Sequence, residues 1–198
     1  MTNRPAPIKL LASMITAIQA EQPEHQPDFA QEHKDYYNQH IKQIIKSRQF
    51  TPGRTASEIV DGSIWLGDAS DAMDINALNK HGIDSVANCA EKNTLTCVEY
   101  YPNDWNYLGL ECDDAENYDI LGKHEAEFIA FMDKCVGEKR RVLVHCAAGI
   151  NRSATLLIAY LVRRRGMCLK DAISLCFKKR PIILTNEAFV MALIARFM

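Results

Sequence analysis

Nine consecutive residues, His145-Cys146-Ala147-Ala148-Gly149-Ile150-Asn151-Arg152-Ser153, bring a thiol and a guanidinium six positions apart. Small residues between them suit a tight loop, and Gly149 supplies the backbone freedom such a loop needs. If the loop enters a helix, its successive N–H groups converge on one spot and the helix dipole favours an anion there. A cysteine at the floor of that nest is held as a thiolate, the nucleophilic form. Arg152, in the first helical turn, can fold back over the loop and bind two oxygens of a phosphate at once, which a lysine cannot. A buried cysteine in a Gly-containing loop is by itself no more than packing. The conjunction of Cys, Arg at the sixth following position, His before and Ser after is what points to chemistry on phosphate.

The elements around the loop are those the chemistry requires. Arg141-Val142-Leu143-Val144-His145 is a continuous, mainly apolar run, as expected of a strand buried on both faces of a parallel sheet. Ligand sites in such sheets form at the carboxyl ends of strands. Further strands are expected at Ile59-Val60 and Ile64-Trp65-Leu66 around the turn Asp61-Gly62-Ser63, then over 83–88 and 105–110. Helices are expected over 71–80, 120–136, 152–165, 169–179 and 186–197. Strands alternating with helices give an α/β domain whose central sheet is mainly parallel. Lys178-Lys179-Arg180 reads as a solvated basic helix end.

Upstream, Ile8, Leu11, Ile15 and Ile18 fall at helical spacing, and Phe29, His33, Tyr37, Ile41 and Ile44 do so again. Two amphipathic helices, 7–20 and 28–48, therefore form an N-terminal helical extension (1–55), ended by Thr51-Pro52-Gly53, ahead of the domain over 56–198. Their apolar stripes pack on the main domain or on a second copy of the chain. The alternative is partner docking through Lys42, Lys46 and Arg48 beside Ile44 and Ile45.

With 198 residues, 47% hydrophobic and 24% charged, the chain has the makings of a core that needs neither metal nor disulfide. A formal net charge of −2 gives no overall attraction to nucleic acid or membrane, so any anion preference is local. Seven cysteines without paired spacing read as free thiols of a reducing compartment. No segment is long and apolar enough to be expected to span a bilayer. A cytoplasmic location with access to the nucleus is the expectation.

His-Cys-x-x-Gly-x-x-Arg-Ser resembles the signature of the protein tyrosine phosphatase superfamily, and the chain is similar to its dual-specificity branch. The likeness covers about residues 56–198, including Ser57-Glu58-Ile59, Trp65-Leu66-Gly67, Arg180-Pro181-Ile182-Ile183, Asn186-Glu187 and Phe189. The family usually has Pro before that Asn; Thr185 stands here, a change expected to affect a helix start rather than chemistry. The resemblance implies a five-stranded sheet flanked by helices, Cys146 as nucleophile, and phosphate held by Arg152 and the backbone from Ala147 through Ala148, Gly149, Ile150 and Asn151. It also implies that Ser153 donates to the sulfur and that His145 supports the thiolate through loop hydrogen bonds.

A phosphate ester expels a poor leaving group unless a carboxylic acid protonates it. The resemblance puts that acid at Asp114, 32 residues before the cysteine, with Asp113 as the alternative. No cofactor and no metal are implied. The short frame and uncharged loop positions favour phosphotyrosine and phosphoserine or phosphothreonine on proteins over phosphoinositides. An RNA 5′-triphosphatase of the superfamily and a binding module with little turnover are the other readings. The partners implied are a phosphoprotein, a protein kinase among the candidates, and a second copy through the N-terminal helices, with neither nucleic acid nor membrane. Cys89 and Cys112, at strand ends approaching the loop, are either buried structural thiols or partners for Cys146 on oxidation.

Overall fold

The computed structural model describes residues 30–47 and 55–198. The helix expected over 7–20 lies outside the described residues. Within them, the chain forms β1 (Ser57–Val60), β2 (Ile64–Gly67), β3 (Ser85–Asn88), β4 (Asn106–Gly109) and β5 (Val142–His145). These make one five-stranded sheet in the order β1-β2-β5-β3-β4, parallel throughout except for the antiparallel edge hairpin β1–β2. The mainly parallel sheet expected from the alternating pattern is the sheet observed.

β5 is central and every one of its residues is buried, which explains its near-continuous apolar run. Its alternate side chains serve two cores. Val142 and Val144 join Ile64, Leu66 and Ala87 under helices α5 (Ile120–Gly137), α6 (Arg152–Arg165), α7 (Leu169–Lys179) and α8 (Glu187–Phe197). Leu143 joins Trp65, Val86 and Leu78 on the other face, under α3 (Ala69–Met73) and α4 (Ile75–Lys80). The single helix expected over 71–80 is therefore two. Asp74 leaves the helical conformation, and its carboxylate accepts from the Ala77 N–H at 2.9 Å, ending α3 and starting α4.

The described part of the extension is α1 (Gln31–Tyr36), a π-helical turn (Tyr37–Ile41) and α2 (Lys42–Lys46), packed against α7 and α8. Ile41 and Ile45 are buried in the same core as Leu193 and Ile194. The apolar half of the basic-plus-apolar pattern at 42–48 thus faces the domain, with Ile45 buried and Ile44 half-buried. This is the intramolecular packing expected of such a stripe.

The register gathers the site. Gly67 of β2 and Asn88 of β3 both lie opposite His145, and Gly109 of β4 lies opposite Asn88. Four parallel strands therefore end level, and the segments after them (68–69, 89–93, 110–114 and 146–151) meet at one edge of the sheet. This is the carboxyl edge, where open α/β sheets hold ligands.

Candidate active site

The loop from Cys146 to Asn151 links the end of β5 to the first residue of α6. Its carbonyls are spent on the scaffold. Ala147 O accepts from Ala69 N at 3.1 Å, Ile150 O from Leu184 N at 2.9 Å, and Gly149 O from Arg180 Nε at 2.9 Å. Turning these oxygens outward leaves the loop amides as the groups to meet an anion. Gly149 has φ of 63°, and a side chain there would run into the Gly67 carbonyl. No other residue fits both requirements.

Cys146 is 1% exposed, and its sulfur accepts from the Ser153 hydroxyl at 3.2 Å. Arg152 is 7% exposed, and its Nη1 donates to Asn93 Oδ1 at 2.9 Å and to Cys112 O at 3.2 Å. Its buried Nε has no hydrogen-bond partner among the described residues. A buried donor in that condition is costly unless the site's ligand supplies an acceptor. The guanidinium is thus braced through Nη1, which leaves its Nε without a hydrogen bond at the site.

The two aspartates separate. Asp113 turns to Lys92, with a 3.0 Å ion pair on the partly exposed rim. Asp114 turns to the loop: Asn151 Nδ2 donates to its Oδ1 and Oδ2 at 3.1 and 3.2 Å, and Asn186 Nδ2 to its Oδ1 at 3.1 Å. Its Oδ2 lies 3.9 Å from Arg152 Nε. Cys146, Arg152, Ser153, Asp114 and Asn151 therefore share one neighbourhood, and Asp113 stands outside it.

His145 is fully buried, and burial depresses its imidazole to about 4, so it is neutral at ordinary pH. Its Nδ1 lies 3.4 Å from Cys146 O. A carbonyl only accepts, so this contact puts the proton on Nδ1. Cys89 and Cys112 are buried beside the loop. Burial pushes Cys112 up to about 12, against the opposing pull of Arg152, and raises Cys89 as well, so both are thiols.

Arg180 corrects the reading of 178–180 as a solvated helix end. Lys178 and Lys179 are exposed, but Arg180 is 2% exposed. It donates to Gly149 O and, at 3.4 Å, to Leu66 O, with Asp68 Oδ2 3.6 Å away. It ties the loop to the end of β2. Asn93, which braces Arg152, and Thr185 and Asn186, which meet Asn151, are the other contributors that the motif does not contain. Asn186 and Thr185 are marked in the sequence through the family likeness and a departure from it, whereas Asn93 has no signal beyond polar character next to a turn.

A thiol and a guanidinium on one strand–loop–helix frame, with a carboxylate alongside, define a cysteine-based site for phosphate esters. A family model described as "Dual specificity phosphatase, catalytic domain" matches residues 64–197, and the chain belongs to that family, within the protein tyrosine phosphatase superfamily. It is 33% identical over 138 residues to the dual specificity protein phosphatase Mpk3 of Drosophila melanogaster, covering 70% of this chain and 33% of that protein. It is 32% identical over 125 residues to the protein-tyrosine-phosphatase IBR5 of Arabidopsis thaliana, covering 63% and 44%. The chain thus spans less than half the length of these curated relatives. The solved human tyrosine phosphatase-like serine/threonine/tyrosine-interacting protein aligns with a TM-score of 0.63 and 30% identity, over 72% of this chain and 95% of that one.

Proposed function

We propose that the chain hydrolyses phosphotyrosine and phosphoserine or phosphothreonine on proteins through a cysteinyl-phosphate intermediate. The observation that carries this reading is the buried Arg152 Nε, without a hydrogen bond among the described residues, beside a loop that holds the Cys146 sulfur against Ser153. In the first step the Cys146 thiolate attacks phosphorus and forms the S–P bond. The ester P–O bond breaks as Asp114 gives its proton to the leaving oxygen. In the second step a water attacks phosphorus, its proton passes to Asp114, and the S–P bond breaks to return the thiolate. Loop amides and Arg152 hold the equatorial oxygens in both transition states.

Protein substrates are supported by the uncharged side chains at Ala147, Ala148, Ile150 and Asn151, which offer no cation to further phosphates on a sugar or inositol ring. We extend the proposal to a protein kinase as the phosphoprotein, in the cytoplasm or nucleus, with the segment before residue 56 as its docking element or as a dimer contact. The 198-residue chain and a version lacking residues 1–29 should then differ on a phosphorylated kinase or in oligomeric state, and not on a small ester.

The direct test is turnover of an aryl phosphate and of phosphotyrosine and phosphothreonine peptides with Cys146→Ser alongside the unaltered chain. All three should be hydrolysed in the presence of a chelator, and none by the variant. Normal turnover by Cys146→Ser overturns the mechanism; failure on the phosphothreonine peptide alone overturns the dual specificity.

A further inference from the structure

We propose that the Asn151 carboxamide is a positioning residue for Asp114, oriented by the backbone N–H of Thr185, so that Asp114 Oδ1 is the held oxygen and Oδ2 the one that delivers the proton. The inference rests on the reading of Asp114 as the acid.

Asn151 is the N-cap of α6, a place where an asparagine side chain ordinarily accepts from its own helix. Here it makes no such bond. Its Oδ1 instead accepts from Thr185 N at 2.7 Å, Asn186 N at 3.0 Å and Thr185 Oγ1 at 3.1 Å. Two of those donors are backbone N–H groups that cannot accept. Turning the amide over would set NH₂ against them, so its orientation is fixed by its surroundings. The Nδ2 group is thereby committed to Asp114.

Asn186 works in the same way. Its Oδ1 accepts from Ala188 N at 3.1 Å at the start of α8, which leaves its Nδ2 for Asp114 Oδ1. Asp114 sits in an irregular segment with its side chain 33% exposed, so these amides are its principal anchors. They divide its two oxygens. Oδ1 accepts from both carboxamides, while Oδ2, among the described residues, accepts from Asn151 alone and is the oxygen nearer Arg152 Nε. Oδ2 is therefore free to carry a proton toward a leaving oxygen above the loop while Oδ1 stays bound. Neutral amides hold the group in either protonation state, which a lysine would not do.

Thr185 now has a chemical role as well as a place before a helix. A proline at 185 has no N–H, so the shortest of the three bonds to Asn151 could not form. This chemical role adds to the helix-start role expected of the position.

The test is the dependence of kcat/KM on leaving-group basicity, from p-nitrophenyl phosphate to phenyl and alkyl phosphates, for Thr185→Pro, Thr185→Ala, Asn151→Ala and Asp114→Asn. Circular dichroism and vanadate inhibition check the fold and the loop. Asp114→Asn should lose at least about a hundredfold on the basic leaving groups and much less on p-nitrophenyl phosphate. Thr185→Pro and Asn151→Ala should show the same selective loss, about tenfold. Thr185→Ala keeps the N–H and loses only the longest of the three bonds, so its selective loss should be clearly smaller than that of Thr185→Pro. Equal losses across leaving groups, no loss in either Thr185→Pro or Asn151→Ala, or the same loss in Thr185→Ala, would overturn the positioning role while leaving the phosphatase reading intact. A flat response of Asp114→Asn would instead remove the acid assignment and this inference with it.

Discussion

The Ser153 hydroxyl donates to the Cys146 sulfur at 3.2 Å in surroundings closed to solvent, Ser153 being fully buried and Cys146 nearly so. The contact exists because α6 begins one residue before Ser153, and its first turn returns Ser153 toward the end of β5. A hydrogen bond to a charged group contributes about 1.5–3 kcal/mol. Its value is greatest whenever sulfur carries full negative charge, which includes the moment it leaves phosphorus.

Ser153→Ala should therefore slow breakdown of the phosphoenzyme by about 10- to 100-fold. Rapid-mixing assays on p-nitrophenyl phosphate should show a burst of p-nitrophenol near one equivalent, followed by a slow steady state. A proportional loss in both phases would mean the hydroxyl serves only thiolate formation.

Asp113 and Asp114 should behave as unlike residues despite adjacency. Asp113 is bound to Lys92 on the rim, so Asp113→Ala should leave the leaving-group dependence unchanged. Asp114→Ala should lower kcat on phenyl phosphate by about 10²- to 10⁴-fold. A larger effect at Asp113 would exchange their roles.

Arg180 is expected to matter to binding without meeting the substrate. Arg180→Met removes a buried cation from Gly149 O, Leu66 O and the neighbourhood of Asp68. The unpaired groups left behind should cost about 2–4 kcal/mol of stability. Loosening of the loop should also weaken vanadate inhibition, read from thermal melts and inhibition curves. Wild-type affinity for vanadate in a folded Arg180→Met protein would show that the loop keeps its shape unaided.

His145 should make the fold acid-sensitive. Burial depresses its folded-state value from 6.5 to about 4, so between those values the unfolded chain binds a proton that the native chain refuses. Stability is then fully present above about pH 6.5 and falls as pH drops toward 4, by about 3 kcal/mol. Urea midpoints should consequently decline less between about pH 7 and pH 4.5 in His145→Asn, whose side chain does not titrate. Parallel decline in both proteins would assign the acid sensitivity elsewhere.

The motif was legible because its members are neighbours in sequence and its frame announces itself through a buried run followed by an apolar helix. Asp114 came from family likeness; an Asp-Asp pair in a loop has no local mark of function. Arg180 carries no local mark of its role, since its place at a helix end resembles that of the exposed Lys178 and Lys179, and only the fold brings it to the Gly149 carbonyl. Asn93 and Thr185 reach the site through loops whose course no periodicity records. The break at Asp74 was missed for a related reason: a residue that competes for backbone hydrogen bonds leaves the apolar spacing around it intact.

The near-complete enclosure of Cys146 bears on how the protein can be assayed. Of its seven cysteines, Cys97 and Cys168 are the exposed ones. A bulky maleimide will modify those two first, and the number of thiols it counts says nothing about working enzyme. Titration of competent molecules calls for a compact, negatively charged alkylating agent that enters as phosphate does, with protection by vanadate as the sign that the right sulfur was reached.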